Sequence, residues 1–242
     1  MYSDADAAAL YDQLNPWGPS DDFYLSYVMA APSVLDVGCG TGTLLHRAGE
    51  AGHTGRLCGV DPDLAALERA RRRGDIEWVA GVAAEMAWAR AFDLAVMAGN
   101  VFQVFVTDHD LLGSLAATRA ALVDGGRLVF GTRNPRVRAW EGWNPSNPID
   151  VVDHAGRELR IGYQVESVAG DVVTFTETTA TRAGEPLRAD RASLRFLDAE
   201  GVDRALGAAG FEVEARYGDW SRGPFTDASD NIVTVARASP PR

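Results

Sequence analysis

Two acidic, glycine-marked junctions carry the chemistry of this sequence. In Val34-Leu35-Asp36-Val37-Gly38-Cys39-Gly40-Thr41-Gly42, a carboxylate lies inside a short apolar run and glycines follow at every second position. Glycines where a strand hands over to a helix let the backbone approach a ligand and turn its N–H groups toward it. The second junction is Cys58-Gly59-Val60-Asp61-Pro62. A carboxylate closing the next strand can accept two hydrogen bonds from a ribose diol. Together they point to a cofactor that contains a nucleoside. The dinucleotide fingerprint G-x-G-x-x-G requires glycine at position 43, where Thr43 stands, so the spacing disfavours a nicotinamide.

An acceptor of chemistry would sit at the far ends of the later strands. Asn100 follows Gly99 at the end of the fourth strand, with a capping role in its own loop as the plainer reading. Arg133, leaving the fifth strand, offers a guanidinium fork for an acidic or phosphorylated acceptor, or for a structural carboxylate. Arg136 and Arg138 leave the sheet on the same side. His154 is the first histidine to test as a base, and an exposed turn is its plainer setting. Trp140, Trp143 and Trp220, with Tyr11, Trp17 and Tyr24, form either an aromatic lid or small satellite cores. Glu85, Asp219 and Asp227 read as solvated. Cys39 and Cys58 read as buried thiols, and with four scattered histidines they give no metal-ligand spacing.

The elements that must position these residues alternate in type. Asp4–Leu14 and a segment capped by Ser20 and running to Ala30 read as helices. Ser33–Val37, Arg56–Val60, Ile76–Val79, Phe92–Met97 and Arg127–Thr132 read as buried strands. Helices are expected over Thr41–Ala51, from Pro62 as a first helical position, and from a Thr107 cap to Leu122. Asp124-Gly125-Gly126 reads as a turn. This rhythm predicts an α/β fold with a doubly wound, mostly parallel sheet. A Pro- and Trp-rich stretch over 133–150 breaks it, and period-two alternation over 151–197 predicts an antiparallel insertion after the fifth strand. A helix from Asp198 and two closing strands return to the main sheet. The expected division is 1–31 as a helical cover, 32–135 with 198–242 as the core, and 136–197 as an acceptor lid.

VLDVGCGTG followed by GVDP resembles the first two motifs of the class I S-adenosylmethionine-dependent methyltransferases, over about residues 34 to 132. The termini resemble bacterial small-molecule methyltransferases. The resemblance implies a Rossmann-like sheet of seven strands with the last inserted antiparallel. It places Asp36 near the methionine amino group, and Gly38, Cys39 and Gly40 along the carboxypropyl-sulfonium region. Asp61 would bind the ribose and Pro62 would pack beside the adenosine. Gly99 would lie beneath the methionine moiety. Many relatives carry an acid for the adenine amino group after the third strand; here Val82 stands in its place, and backbone groups of Val82 and Ala83 take over. The implied activity is methyl transfer from S-adenosylmethionine to an O or N atom of a small molecule by direct displacement, releasing S-adenosylhomocysteine. The alternatives are an NAD(P)-dependent oxidoreductase and a cofactor-binding protein without transfer activity.

Composition narrows the partners. All 23 basic residues are Arg, so a Lys Schiff base, a pyridoxal-phosphate anchor and a Walker Lys are excluded. The net charge of −11 disfavours a nucleic-acid footprint. No apolar run reaches a membrane span, and the acidic N-terminal stretch is unlike a signal peptide. A cytoplasmic protein acting on a small-molecule acceptor is expected, with the oligomeric state left open.

Overall fold

The computed structural model describes residues 2–240. The chain runs α1 (Asp4–Leu14), α2 (Pro19–Val28), β1 (Ser33–Val37), α3 (Thr43–Glu50), β2 (Arg56–Asp61), α4 (Leu64–Ala70), β3 (Glu77–Ala80), β4 (Phe92–Met97), α5 (Asp108–Ala121) and β5 (Leu122–Arg133). Four strands follow: β6 (Ile149–Val152), β7 (Glu158–Ala169), β8 (Val172–Thr181) and β9 (Pro186–Arg195). Then α6 (Ala199–Ala208), β10 (Phe211–Tyr217) and β11 (Asn231–Ala238) close the chain. The main sheet has seven strands in the order β10-β11-β5-β4-β1-β2-β3. β11 is antiparallel to both neighbours, and the β1–β5 pairs are parallel. The insertion is a separate antiparallel sheet, β6-β7-β8-β9.

The alternation of β1 sorts its side chains between two cores. Leu35 and Val37 join Phe92, Phe130 and Leu115 in the apolar layer under α5 and α6. Val34 packs with Val96, Val129, Phe23 and Leu45 under α2 and α3. Asp36, two residues on from Val34, therefore points to this second side, at the strand's ligand-facing end. The parallel strands all end together, because right-handed crossovers return each helix to the same starting edge.

Local details differ from the sequence expectations for identifiable reasons. Gly42 is left-handed (φ 80°), so α3 starts at Thr43 and not at Thr41. Pro62 is outside α4: Asp63 caps that helix by accepting from the N–H groups of Ala65 and Ala66. Ser20 lies inside α2, whose entry is fixed by the Gly18 N–H donating to Asp21 at 2.8 Å. β5 begins at Leu122 and runs through Asp124-Gly125-Gly126, with a register shift opposite Phe92–Leu94 absorbing the glycines.

α1 joins the two sheets. Ser3 and Asp6 form a capping box at its start. Leu10 packs with Tyr2, Leu159 and Ile161 on the insertion sheet. Asp6 pairs with Arg157 and Asp4 with Arg188, both at 2.6 Å. At the other end, Asp12 accepts from Thr41 Oγ1 at 2.5 Å and from Arg69 at 2.9 Å. One helix thus touches the insertion and the glycine loop.

Candidate active site

The loop between β1 and α3 is tied to β2. The N–H groups of Gly38 and Cys39 both donate to the Val60 carbonyl, at 2.8 and 3.2 Å. The Gly40 N–H donates to one oxygen of Asp61, and the Asp63 N–H to the other, both at 2.8 Å. The expectation that these loop N–H groups face a ligand is therefore corrected. They hold the loop in place, and what remains for a ligand is the open shape and two carboxylates. A Cβ at Gly40 would meet nothing within 4 Å, so that position borders the cleft. A Cβ at Gly38 would come within 2.5 Å of Val101 Cγ2, and one at Gly42 within 2.5 Å of Trp78 Cη2. The thiol of Cys39 turns inward against Leu67 and Ala70. Burial pushes both thiols above their ordinary pKa, Cys58 to about 12, so neither is a nucleophile.

Asp36 is 1% exposed, and its Oδ1 has no hydrogen-bond partner. Burial, and secondarily the charge of Asp61, pushes its carboxyl up to about 7. Burial also raises Asp61, against the two backbone N–H donors that favour its ionised form. An orphaned, buried carboxylate oxygen beside a second carboxylate is stabilised by an arriving cation. After Asp61, Pro62 and Leu64 (64%) are exposed, and so is Val82 (42%) after the neighbouring strand β3, so apolar surface is open at both strand ends. The Gly81 N–H donates to the Asp61 carbonyl at 3.1 Å, which sets Val82 and Ala83 beside that carboxylate. A ligand with cationic centres, a ribose and a flat base fits this series of groups, and S-adenosylmethionine is such a ligand.

The series of groups continues past the end of β4. Gly99 and Asn100 are both left-handed (φ 59° and 65°), and a Cβ on Gly99 would lie 3.2 Å from the Tyr11 hydroxyl. Asn100 makes no side-chain cap bond, so its fit to the left-handed turn accounts for its identity. Half of Tyr11 is open to solvent, yet its hydroxyl is crowded: burial first, then the charges of Asp21, Asp12 and Asp61, raise its pKa, with Arg133 opposing. Arg133 is half-buried. Its Nη1 donates to Gln103 Oε1 at 3.1 Å, and its guanidinium lies 5.3 Å from the Trp143 ring centroid. Gln103 is fully buried and anchored by donating to the Arg195 carbonyl at 3.0 Å. From Trp143 the wall runs to Phe175 at 4.9 Å and on to Tyr163 at 6.2 Å. Tyr163 stands opposite Glu177 in the β7–β8 register.

Other sequence candidates lie elsewhere. His154 occupies an exposed turn after β6, next to Asp153, which accepts from the Tyr2 hydroxyl ahead of α1. Arg136 pairs with Asp227 and Arg138 with Glu141, all exposed, so Arg133 alone of the three turns to the cleft. The six aromatics do not make one lid. Trp140 and Trp143 pack with Phe196 and Val173, and Trp220 packs with Phe23 and Tyr24 on the far side of the sheet. Trp17 stacks under Arg47. Glu85 is exposed, and Asp219 closes a turn by accepting from Ser221 and Gly223. A depression of about 650 Å³ at the opposite edge of the sheet is lined by Arg90 and Arg119, which both pair with Asp124, and by Glu212; no residue of the glycine loop or of the β4 end lines it.

Comparison with known proteins bears on this geometry. A methyltransferase domain model matches residues 34–126. The cypemycin N-terminal methyltransferase of a Streptomyces species is 31% identical over 213 residues, covering 84% of this chain and 82% of its own. The chain belongs to the S-adenosylmethionine-dependent methyltransferases. Two solved structures share the fold of this methyltransferase. One is an amino pentose methyltransferase from Micromonospora echinaspora, with a TM-score of 0.70 at 22% identity, covering 95% of this chain and 97% of its own. The other is a sugar N-methyltransferase from Streptoalloteichus, with a TM-score of 0.69 at 22% identity, covering 93% and 90%. The nicotinamide alternative falls with this membership. The cofactor of the methyltransferase is S-adenosylmethionine.

Proposed function

We propose that this methyltransferase acts in the cytoplasm on an amine nitrogen of a small molecule. The observation that carries the reading is the makeup of the cleft beyond Gly99. Tyr11, Arg133, Trp143 and Tyr163 line it, and every histidine lies outside it. His46 and His53 bind the carbonyls of Ala70 and Ala31 at 2.8 Å, and His109 and His154 are exposed. A hydroxyl acceptor must lose its proton to a positioned base, whereas an amine attacks in its neutral form. The relatives described above as N-terminal and sugar N-methyltransferases support nitrogen as the target. Free thiols at Cys39 and Cys58 support a reducing compartment.

When bound, the cofactor supplies a methyl group on a sulfonium, open to direct displacement. Asp36 and Asp61 hold cationic and ribose groups, and Val82 with Leu64 covers the base. The turn at Gly99 and the Tyr11 hydroxyl fix the acceptor side of the cleft. α1, pinned through Asp12, holds Tyr11 at that junction. The test has two arms. S-adenosylhomocysteine at a hundred times its Kd should stabilise the protein by about 2.7 kcal/mol, and Asp61→Ala should remove the shift. Amines paired with their hydroxyl analogues should then be compared by mass spectrometry. Methylated amines with unmodified alcohols support the reading; methylation confined to alcohols overturns it.

A further inference from the structure

The acceptor side holds two charges of opposite sign, Arg133 and Glu177, neither of which forms an ion pair among the described residues. Arg133 forms no ion pair among the described residues. Of its five N–H donors, one side-chain bond, to Gln103, is made. Gln103 and the Trp143 face fix the plane of the fork, so its other donors are aimed rather than adrift. Glu177 lies on the inner face of β8, the face that also presents Val173, Phe175 and Thr179. An alternating strand places apolar or small groups there, and a carboxylate breaks the pattern. Glu177 has no ion-pair partner among the described residues. The nearby Arg188 is committed to Asp190 and Asp4. Burial raises the Glu177 carboxyl above its ordinary range, and Asp190 adds to this. Burial correspondingly lowers the pKa of Arg133. The Tyr163 hydroxyl, opposite Glu177 in the register, donates to that carboxylate and opposes its rise, and it also feels the charge of Arg133.

A desolvated charge left unpaired is costly, and two opposite ones on one cleft are each stabilised by a ligand of complementary charge. We propose that Arg133 and Glu177 form a dipolar acceptor subsite, which admits the acceptor as a zwitterion, its anionic group on Arg133 and, on Glu177, a protonated amine distinct from the neutral nitrogen that takes the methyl. This rests on the methyltransferase reading, because the subsite is the acceptor wall of that cleft. It adds a class of acceptor and a residue, Glu177, that holds the acceptor without touching the transferred methyl. The aromatic row between the two charges gives the acceptor's uncharged span a surface to lie on.

The probes are alanine, β-alanine, 4-aminobutyrate and 6-aminohexanoate, which vary the charge separation. Each is compared with its amide, which keeps only the cation, and its N-acetyl form, which keeps only the anion. Binding is read by saturation-transfer NMR and by the fluorescence of Trp143 in protein saturated with S-adenosylhomocysteine, with Trp143→Phe to assign the signal. At least one zwitterion should bind about tenfold tighter than both of its singly charged forms. Glu177→Gln should erase the advantage over the N-acetyl form, and Arg133→Gln the advantage over the amide. Both variants should bind S-adenosylhomocysteine as the wild type does. Equal binding of all forms, no binding of any, or a preference that survives the variants overturns the proposal. Failure of the wild type to bind S-adenosylhomocysteine would instead overturn the methyltransferase reading, so the two failures are separable.

Discussion

Asp36 is the residue whose environment has the most direct solution consequence. Its carboxyl titrates near 7 in the ligand-free protein because it is buried with an unpartnered oxygen. A raised carboxyl favours the folded state when protonated, so this group's contribution declines as pH rises from the unfolded value of about 3.9 toward 7. The ligand-free melting temperature should therefore fall more between pH 5.5 and 8 in the wild type than in Asp36→Asn. A cationic cofactor reverses the preference by stabilising the ionised form. Its affinity should rise with pH up to about 7 and level off above, and calorimetry in two buffers at pH 6 should detect nearly one proton released per ligand. Proton release equal to that of Asp36→Asn would refute this account. Gly38 makes a second prediction at the same scale. Gly38→Ala forces a Cβ onto Val101 at φ 74°. It should destabilise the fold by about 1–3 kcal/mol, and adding Val101→Ala should recover only the steric part. The two acids and the glycines were legible in the sequence, because spacing alone sets their positions. Gln103, Tyr163 and Glu177 were not, since the first lies in a loop and the others meet only when β7 pairs with β8. A carboxylate in the inward register of Val173 and Phe175 was the available signal.

Among the elements, α1 has the largest share of work relative to its length. Its grip on the glycine loop runs through a single side chain, Asp12, bound to Thr41 and Arg69. Both members of the Asp12–Arg69 pair are 28% exposed, so the pair itself contributes about 1 kcal/mol or less. Asp12→Asn should accordingly leave the global melt almost unchanged. The same variant should speed the release of S-adenosylhomocysteine several-fold in stopped-flow measurements, with faster amide exchange over residues 4–14. Unchanged release would mean that α1 does not govern access. The helix bounds of α1 follow from its own capping box and were readable in advance. Its attachment was not, because it depends on ion pairs with Arg157 and Arg188, some 150 residues or more along the chain. The early start of β5 was hidden for a related reason: Asp124-Gly125-Gly126 keeps its turn chemistry, with Gly125 at φ 76°, as an unpaired bulge between Leu122, which pairs with Phe92, and Arg127, which pairs with Leu94.

For the whole molecule, the excess of acid is the feature that acts at a distance. A net charge of −11 surrounds a cleft that ends on two buried carboxylates. Long-range attraction of this kind speeds association and is screened over about 10 Å at 0.1 M salt. Association of S-adenosylmethionine, which bears the sulfonium charge, should slow with added salt more than that of S-adenosylhomocysteine, which lacks it. Equal salt slopes would show that the field plays no part in capture. The doubly wound core was legible as a rhythm of strands and helices, and the antiparallel insertion as a change of period. How the insertion is seated was hidden, since contacts distant in sequence decide it: α1 on one side, and Gln103 and Asp108 at Arg195 on the other. That seating has a practical corollary for chimaeras. The first fourteen residues and the four-stranded sheet form one exchangeable cassette, joined by Leu10, Leu159 and Ile161. Transplanting the sheet from a relative without its matching leading helix should leave the insertion held to the main sheet only along its β9 side, through Gln103 and the Arg195–Asp108 pair.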